Sequence, residues 1–298
     1  MLAISSGGDH SAYVLGMLKG VFVTKPDITE WNKVCGISAG ALIGTKIAQI
    51  DTVDRSSFIK SIDHLMNSHQ QFTKSWSTMG TIVSMAKAFI WHQGLFKSKL
   101  QDIVEESWGE KHRELYVGAY NQTEGRYQSF GPSPSIPQVT ASASIPVVFE
   151  PIEIESAEYC DGAIAHILPI KEIKAHWRDG DLDVMVCYPT DHKEFLKSSD
   201  YMTKYQLMGR LFNTISENTW YNLNRDLDDL SELVGQDVRG GGVFKVGDKT
   251  VRVYVPKKGY YCDVVNRDFK TLKKMHQHGE EIAREMLRDD EFNKRFVQ

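Results

Sequence analysis

With 298 residues, 41% of them hydrophobic, the chain can bury a sizeable core, and 1–298 reads as a single domain without a convincing linker or repeat. A net charge of −4 gives no electrostatic reason to expect a nucleic-acid partner, which would be met by a basic face, nor any global attraction to an anionic membrane. No apolar run is long enough to span a bilayer and the first residues carry no signal-like core, so the expected setting is cytoplasmic, with peripheral membrane contact allowed.

Leu2-Ala3-Ile4 predicts a short strand, Ser5-Ser6-Gly7-Gly8-Asp9 a turn, and Val14, Leu15, Met17, Leu18 and Val21 carry the spacing of a helix over 11–21. Lys33-Val34-Cys35 supplies a second buried strand, and Ala41, Leu42, Ile43, Ile47 and Ala48 a second helix. Strand, helix and strand make a right-handed βαβ unit, which puts both turns at the carboxyl ends of neighbouring parallel strands.

The second of those turns is Gly36-Ile37-Ser38-Ala39-Gly40. A sharp passage from strand to helix crowds the backbone, and Gly36 and Gly40 remove the side chains that would clash. The Ser38 hydroxyl is then expected to be exposed, close to the first free amides of a helix, where negative charge on an attacked carbonyl would collect. With 23 glycines in the chain, Gly-x-Ser-x-Gly alone is a weak motif, so its meaning rests on partners. The first turn offers one: Gly7 and Gly8 can aim their amides at an anion, as an oxyanion hole, a helix-capping turn or a phosphate nest. Neither Gly-x-Gly-x-x-Gly nor a Walker-type loop is present, which disfavours the nucleotide reading.

Residues 54–107 read as helical, with Phe58, Ile62, Leu65 and Met66 on one face and a Met and aromatic stripe over 76–91 that suits core or a lipid-facing rim. Residues 115–120 and 126–130 read as a β-hairpin, and 137–145 as a small-residue helix stopped by Pro146. Tyr159-Cys160-Asp161-Gly162-Ala163 places an aspartate at the end of a strand among apolar residues, unlike the polar Asp179-Gly180. Further on, 183–188 is a buried strand, 201–233 a helix, Gly240-Gly241-Gly242 a loop, 251–255 a strand and 269–287 a terminal helix. Asp226, Asp228 and Asp229 lack the glycine and distal glutamate of a calcium loop and read as a solvated helix face; no metal is expected. Cys35, Cys160, Cys187 and Cys262 show no Cys-x-x-Cys spacing and read as buried free thiols of a reducing compartment.

Four of these segments, in order, resemble the patatin-like phospholipase family. They are Leu2-Ala3-Ile4-Ser5-Ser6-Gly7-Gly8-Asp9-His10-Ser11 with Gly16-Met17-Leu18, Gly36-Ile37-Ser38-Ala39-Gly40-Ala41, Ala141-Ser142-Ala143-Ser144-Ile145-Pro146, and Asp161-Gly162-Ala163; Gly94-Leu95-Phe96 is also similar. The resemblance implies an α/β fold of three α/β/α layers around a mostly parallel sheet, with a Ser-Asp dyad in a crevice. It also implies Ser38 as nucleophile, Asp161 as general base and acid, Gly7 and Gly8 as oxyanion amides, and a lipid acyl ester substrate, phospholipid foremost. The family's opening Gly-Gly-Gly-x-Arg/Lys-Gly reads here Ser6-Gly7-Gly8-Asp9-His10-Ser11. His10 therefore stands where a fixed positive charge is usual, a further candidate for the oxyanion hole beside Gly7 and Gly8, and its own charge is expected to depend on pH near neutrality.

A serine hydroxyl needs a base, and either Asp161 directly or one of His166, His192, His276 and His278 could serve. The turn at Ser38 follows only the second strand, earlier than in α/β-hydrolases, which favours the dyad. Such a dyad calls for no cofactor. The departures at Ser6, His10 and Ser11 motivate the alternative, a catalytically weak or inactive lipid-binding or interaction module; no particular protein partner is indicated.

Overall fold

The computed structural model describes residues 1–50, 60, 97–106, 108–146, 149–199, 206–260 and 269–296. Most of the helical stretch expected over 54–107, the segment Gly94-Leu95-Phe96 and Cys262 lie outside the described residues.

The first βαβ unit forms as its apolar spacing predicts: β1 (Leu2–Ile4), α1 (Ser11–Thr24), β2 (Lys33–Ile37) and α2 (Ala39–Gln49). There follow α3 (Lys97–Glu106), the hairpin β3 (Glu114–Asn121) and β4 (Arg126–Phe130), α4 (Ile136–Ser142), β5 (Ile152–Ile154), β6 (Ala157–Asp161) and α5 (Ile170–His176). The remainder comprises β7 (Leu182–Met185), α6 (His192–Ser199), α7 (Gln206–Val234), β8 (Gly242–Val246), β9 (Lys249–Tyr254) and α8 (Phe269–Phe296).

The strands run in the order β5-β6-β3-β2-β1-β7-β9-β8, with β4 also paired to β3. The central five, β3-β2-β1-β7-β9, are parallel, and β4, β5, β6 and β8 are joined antiparallel around them. Parallel strands covered on both faces read as continuous apolar runs, which is why Leu2-Ala3-Ile4 was legible as a strand. Alternation then divides the core. Leu2, Ile4 and Val34 pack with Tyr13, Leu18, Ile47 and Leu272 on one face. Ala3, Cys35 and Val184 pack with Ile173, Leu223, Leu227 and Leu230 on the other. The architecture is therefore α/β, with α1, α2 and α8 on one side of a mixed, centrally parallel sheet and α5 and α7 on the other.

α1 and α8 meet backbone to backbone. A Cβ on Gly16 would lie 1.9 Å from the His276 carbonyl oxygen, and one on Gly279 would lie 2.0 Å from that of Tyr13. Four elements escaped the sequence reading: the short helices α5 and α6, and the strands β5 and β8. β5 has three residues, and β8 begins at Gly242 inside what reads as a glycine loop; only Gly240 and Gly241 precede it. Cys35, Cys160 and Cys187 are free and buried. Among the described residues no helix is long and apolar enough to cross a membrane.

The α1–α8 contact yields a stability test. Gly16→Ala should force the two helices apart and lower the unfolding free energy by about 1–3 kcal/mol in urea titrations; an unchanged midpoint would contradict the close packing.

Candidate active site

Ser38 joins β2 to α2 with φ 58° and ψ −126°, a backbone conformation that a residue bearing a side chain holds only when its surroundings impose it. The restraints are visible. The Ser38 carbonyl accepts the amides of Ala41 at 2.9 Å and Leu42 at 3.2 Å, and the Ser38 amide donates to Ser142 Oγ at 3.1 Å. Ser142 Oγ in turn donates to the Gly118 carbonyl at 2.6 Å. The flanking glycines are required by contact: a Cβ on Gly36 would stand 2.3 Å from the Gly40 carbonyl oxygen, and one on Gly40 would stand 2.5 Å from that of Ile4.

Sheet register brings Asp161 to the same place. Ile37 lies opposite Gly118 across β2 and β3, and the next residue of β3, Ala119, lies opposite Asp161 of β6. Ser38 and Asp161 are thus separated by one strand although they are far apart in the chain. Gly162 lets the chain close over that strand, since a Cβ there would be 2.4 Å from the Gly118 carbonyl oxygen. The Asp161 amide donates to the Ser144 carbonyl at 2.9 Å, and Asp161 Oδ1 accepts the Ala163 amide at 2.8 Å.

The environment of Asp161 sets its chemistry. The residue is 2% exposed and Ser38 3%, so the serine hydroxyl is enclosed and not exposed as the motif alone predicts. Burial disfavours the carboxylate and pushes its pKa up to about 7, while the neighbouring Ser38 hydroxyl and the Ala163 amide oppose the shift. Asp161 Oδ2 has no hydrogen-bond partner of normal geometry among the described residues, which leaves that oxygen for a proton.

The first turn sits beside this pair, at the end of β1, the neighbour of β2. Gly7 packs against Cys187, whose Cβ would be 2.3 Å from a Cβ at position 7, and Gly8 has φ 50°. Both residues open the short helical turn Gly8–His10, and amides at the start of such a turn have no intrahelical acceptor. Ser6 N donates to the Ile167 carbonyl at 2.8 Å, tying the turn to the segment that follows Asp161.

Two expectations are corrected here. His10 is 3% exposed, its ring 4.9 Å from that of Tyr188. Burial lowers its pKa to about 4 despite the opposing charge of Asp9, so it is neutral around pH 7 and lends no charge to the turn. Asp226, expected on a solvated face, is 0% exposed. Its Oδ1 meets His166 Nδ1 at 2.8 Å, and its Oδ2 accepts the Ile167 and Leu168 amides at 2.6 and 3.0 Å. Asp228 and Asp229 do pair outward, with Arg239 and Lys174.

The candidate histidine bases are engaged elsewhere. His166 is held by Asp226, the His192 ring lies tilted against that of Trp220 at 4.9 Å, and His276 and His278 lie along α8, the latter beside Tyr13, Tyr260 and Glu281. Ser142 and Ser144 read in the sequence as part of a small-residue helix and of a segment resembling the family; their spacing gives no sign that Ser142 Oγ accepts the Ser38 amide and the Ser144 carbonyl the Asp161 amide. Among the described residues no group of three or more His, Cys, Asp or Glu side chains could hold a metal ion.

Comparison with known proteins adds three findings. The family profile described as patatin-like phospholipase matches residues 2–173. A curated relative, "Probable lipid hydrolase 463L" of Invertebrate iridescent virus 6, is 24% identical over 270 residues, covering 83% of this chain and 86% of its own. The crystal structure of VipD from Legionella pneumophila aligns with a TM-score of 0.46 at 15% identity, covering 97% of this chain and 66% of that one.

The enclosed carboxyl makes a stability prediction. Asp161 binds its proton more tightly in the folded chain, at about 7 against 3.8, so its contribution is fully present below the lower value and is lost as pH rises through the higher one. Asp161→Asn should therefore gain stability over wild type at about pH 8 and gain none near pH 4, read from urea midpoints; a gain confined to acid would contradict the burial argument.

Proposed function

The chain belongs to the patatin-like phospholipase family, and from that premise we propose that it is a serine acyl hydrolase that cleaves lipid acyl esters, phospholipids foremost, through Ser38 and Asp161. The observation that carries the reading is the Asp161 carboxyl, enclosed beside Ser38 and raised to about 7, where a base can take a proton near neutral pH and give it back.

The geometry supports the following cycle. Asp161 Oδ2 takes the Ser38 proton as Ser38 Oγ attacks the ester carbonyl, and the Gly7 and Gly8 amides bind the oxyanion. Collapse of the tetrahedral adduct expels the alcohol, which receives the proton from Asp161, and leaves the acyl group on Ser38. Asp161 then takes a proton from water as that water attacks the acyl carbonyl. A second collapse frees the fatty acid and returns the proton to Ser38. Each proton borrowed is returned by the same carboxyl, so the cycle calls for no cofactor. His10 stays neutral throughout.

The substrate class is supported by the family and by the viral relative's description as a lipid hydrolase. A cytoplasmic setting with peripheral membrane contact is part of the proposal. Its supports are the free buried thiols and two exposed apolar residues next to the dyad segments, Ile145 and Ile164.

Hydrolysis of p-nitrophenyl butyrate by the purified protein tests the reading. Ser38→Ala and Asp161→Asn should each lower kcat/KM by at least about a thousandfold. Wild-type kcat/KM should fall about tenfold per pH unit below about pH 7 as Asp161 is protonated, with no loss above it from His10. No turnover by the wild type would leave the lipid-binding module instead.

A further inference from the structure

One edge of α7 is built against the segment that carries the base. Asn222 Nδ2 donates to the Ile164 carbonyl at 2.9 Å and reaches that of Ala163 at 3.4 Å. Arg225 Nη2 donates to the Ala165 carbonyl and, at 2.9 Å, to Asp226 Oδ1. Asp226 takes the His166 ring on one oxygen and the Ile167 and Leu168 amides on the other. Asn222, Arg225 and Asp226 lie within two helical turns, at the spacing that puts residues on one face, and between them they hold consecutive peptide groups from Ala163 to Leu168. The other backbone bonds of the segment are local or lead to the site itself: the Ala165 and His166 amides donate to the Gly162 carbonyl, the Leu168 carbonyl accepts the Ile170 amide, the Ala163 amide donates to Asp161 Oδ1, and the Ile167 carbonyl accepts the Ser6 amide.

The segment has two outlets. Toward its start it is continuous with Gly162 and Asp161, whose Oδ1 is aimed by the Ala163 amide. Toward its end the carbonyl of Ile167, whose amide is fixed by Asp226, receives the Ser6 amide at 2.8 Å, one residue before Gly7. A single carboxylate therefore lies one peptide group from the oxyanion turn and a short tied loop from the base. A surface aspartate does none of this, and a merely structural one needs no link to both halves of a site.

We propose that Asp226, aided by Asn222, is a positioning residue for the Ser38–Asp161 reaction, fixing the 162–168 segment so that base and oxyanion turn keep one spacing. The inference rests on the acyl hydrolase reading. Displacing either group by a fraction of an ångström to an ångström should slow chemistry, up to about a hundredfold, without preventing substrate from entering. Asp226→Asn keeps the volume and one acceptor oxygen but confronts the remaining donors with an NH2 group.

The test counts active sites first, by exhaustive phosphonylation of Ser38 with a fluorophosphonate read as intact mass, and then measures p-nitrophenyl butyrate kinetics per labelled site. Asp226→Asn should lower kcat per site about 10- to 100-fold with KM held within about twofold, and Asn222→Ala should act in the same direction by a smaller factor. Wild-type kcat per site in folded Asp226→Asn, or fewer labelled sites each of wild-type kcat, would overturn the positioning role. Should Asp226→Asn fail to fold, Asn222→Ala decides, and wild-type kcat per site there overturns it. A wild-type protein without turnover would instead remove the hydrolase reading beneath it.

Discussion

The carbonyl of Gly118 takes a 2.6 Å hydrogen bond from Ser142 Oγ, the same Ser142 oxygen takes the Ser38 amide, and Gly162 passes so close to that carbonyl that only a glycine fits. Ser38 and Asp161 are thus referenced to one peptide group of β3, the strand that separates β2 from β6. The rest of the arrangement depends on this spacing. If β3 slipped by one residue against either neighbour, Ile37 would no longer lie opposite Gly118, nor Asp161 opposite Ala119, and the side chains would change faces.

Holding the site in this form costs stability in two places. Ser38 is kept at positive φ by bonds to both sides of its peptide group, and Asp161 is buried where its charge is disfavoured. On the acyl hydrolase reading both costs have a chemical use. The strained turn points a hydroxyl off the end of the sheet, and the buried carboxyl is a stronger base than one in water. The opposing gain comes from the two cores that clamp the sheet between α1, α2 and α8 on one side and α5 and α7 on the other.

The parts of this structure that could be read from residues are those with a local signature. Continuous apolar runs marked β1, β2 and β7, and helical spacing marked α1 and α2. The glycines at 36 and 40 marked the Ser38 turn because steric crowding is local. Asp161 stood out by contrast with Asp179, whose neighbours are polar. What stayed hidden is non-local. Asp226 looks like one of three acids on a wet helix until folding brings the amides of Ile167 and Leu168 to it, and no spacing within α7 records that encounter. His10 looks like a titrating substitute for a lysine or arginine until Tyr188 and the chain around it exclude water. β8 was lost because its glycine start resembles a loop when its partner β9 is not in view.

The central claim is that an activated hydroxyl at 38 depends on the acid at 161. Peptide mapping after reaction with a long-chain fluorophosphonate reads it directly. The account predicts one adduct per chain, on Ser38, formed rapidly in the wild type and at least about a hundredfold more slowly in Asp161→Asn. An adduct on another residue, or Ser38 labelling at an equal rate in the two proteins, would contradict it.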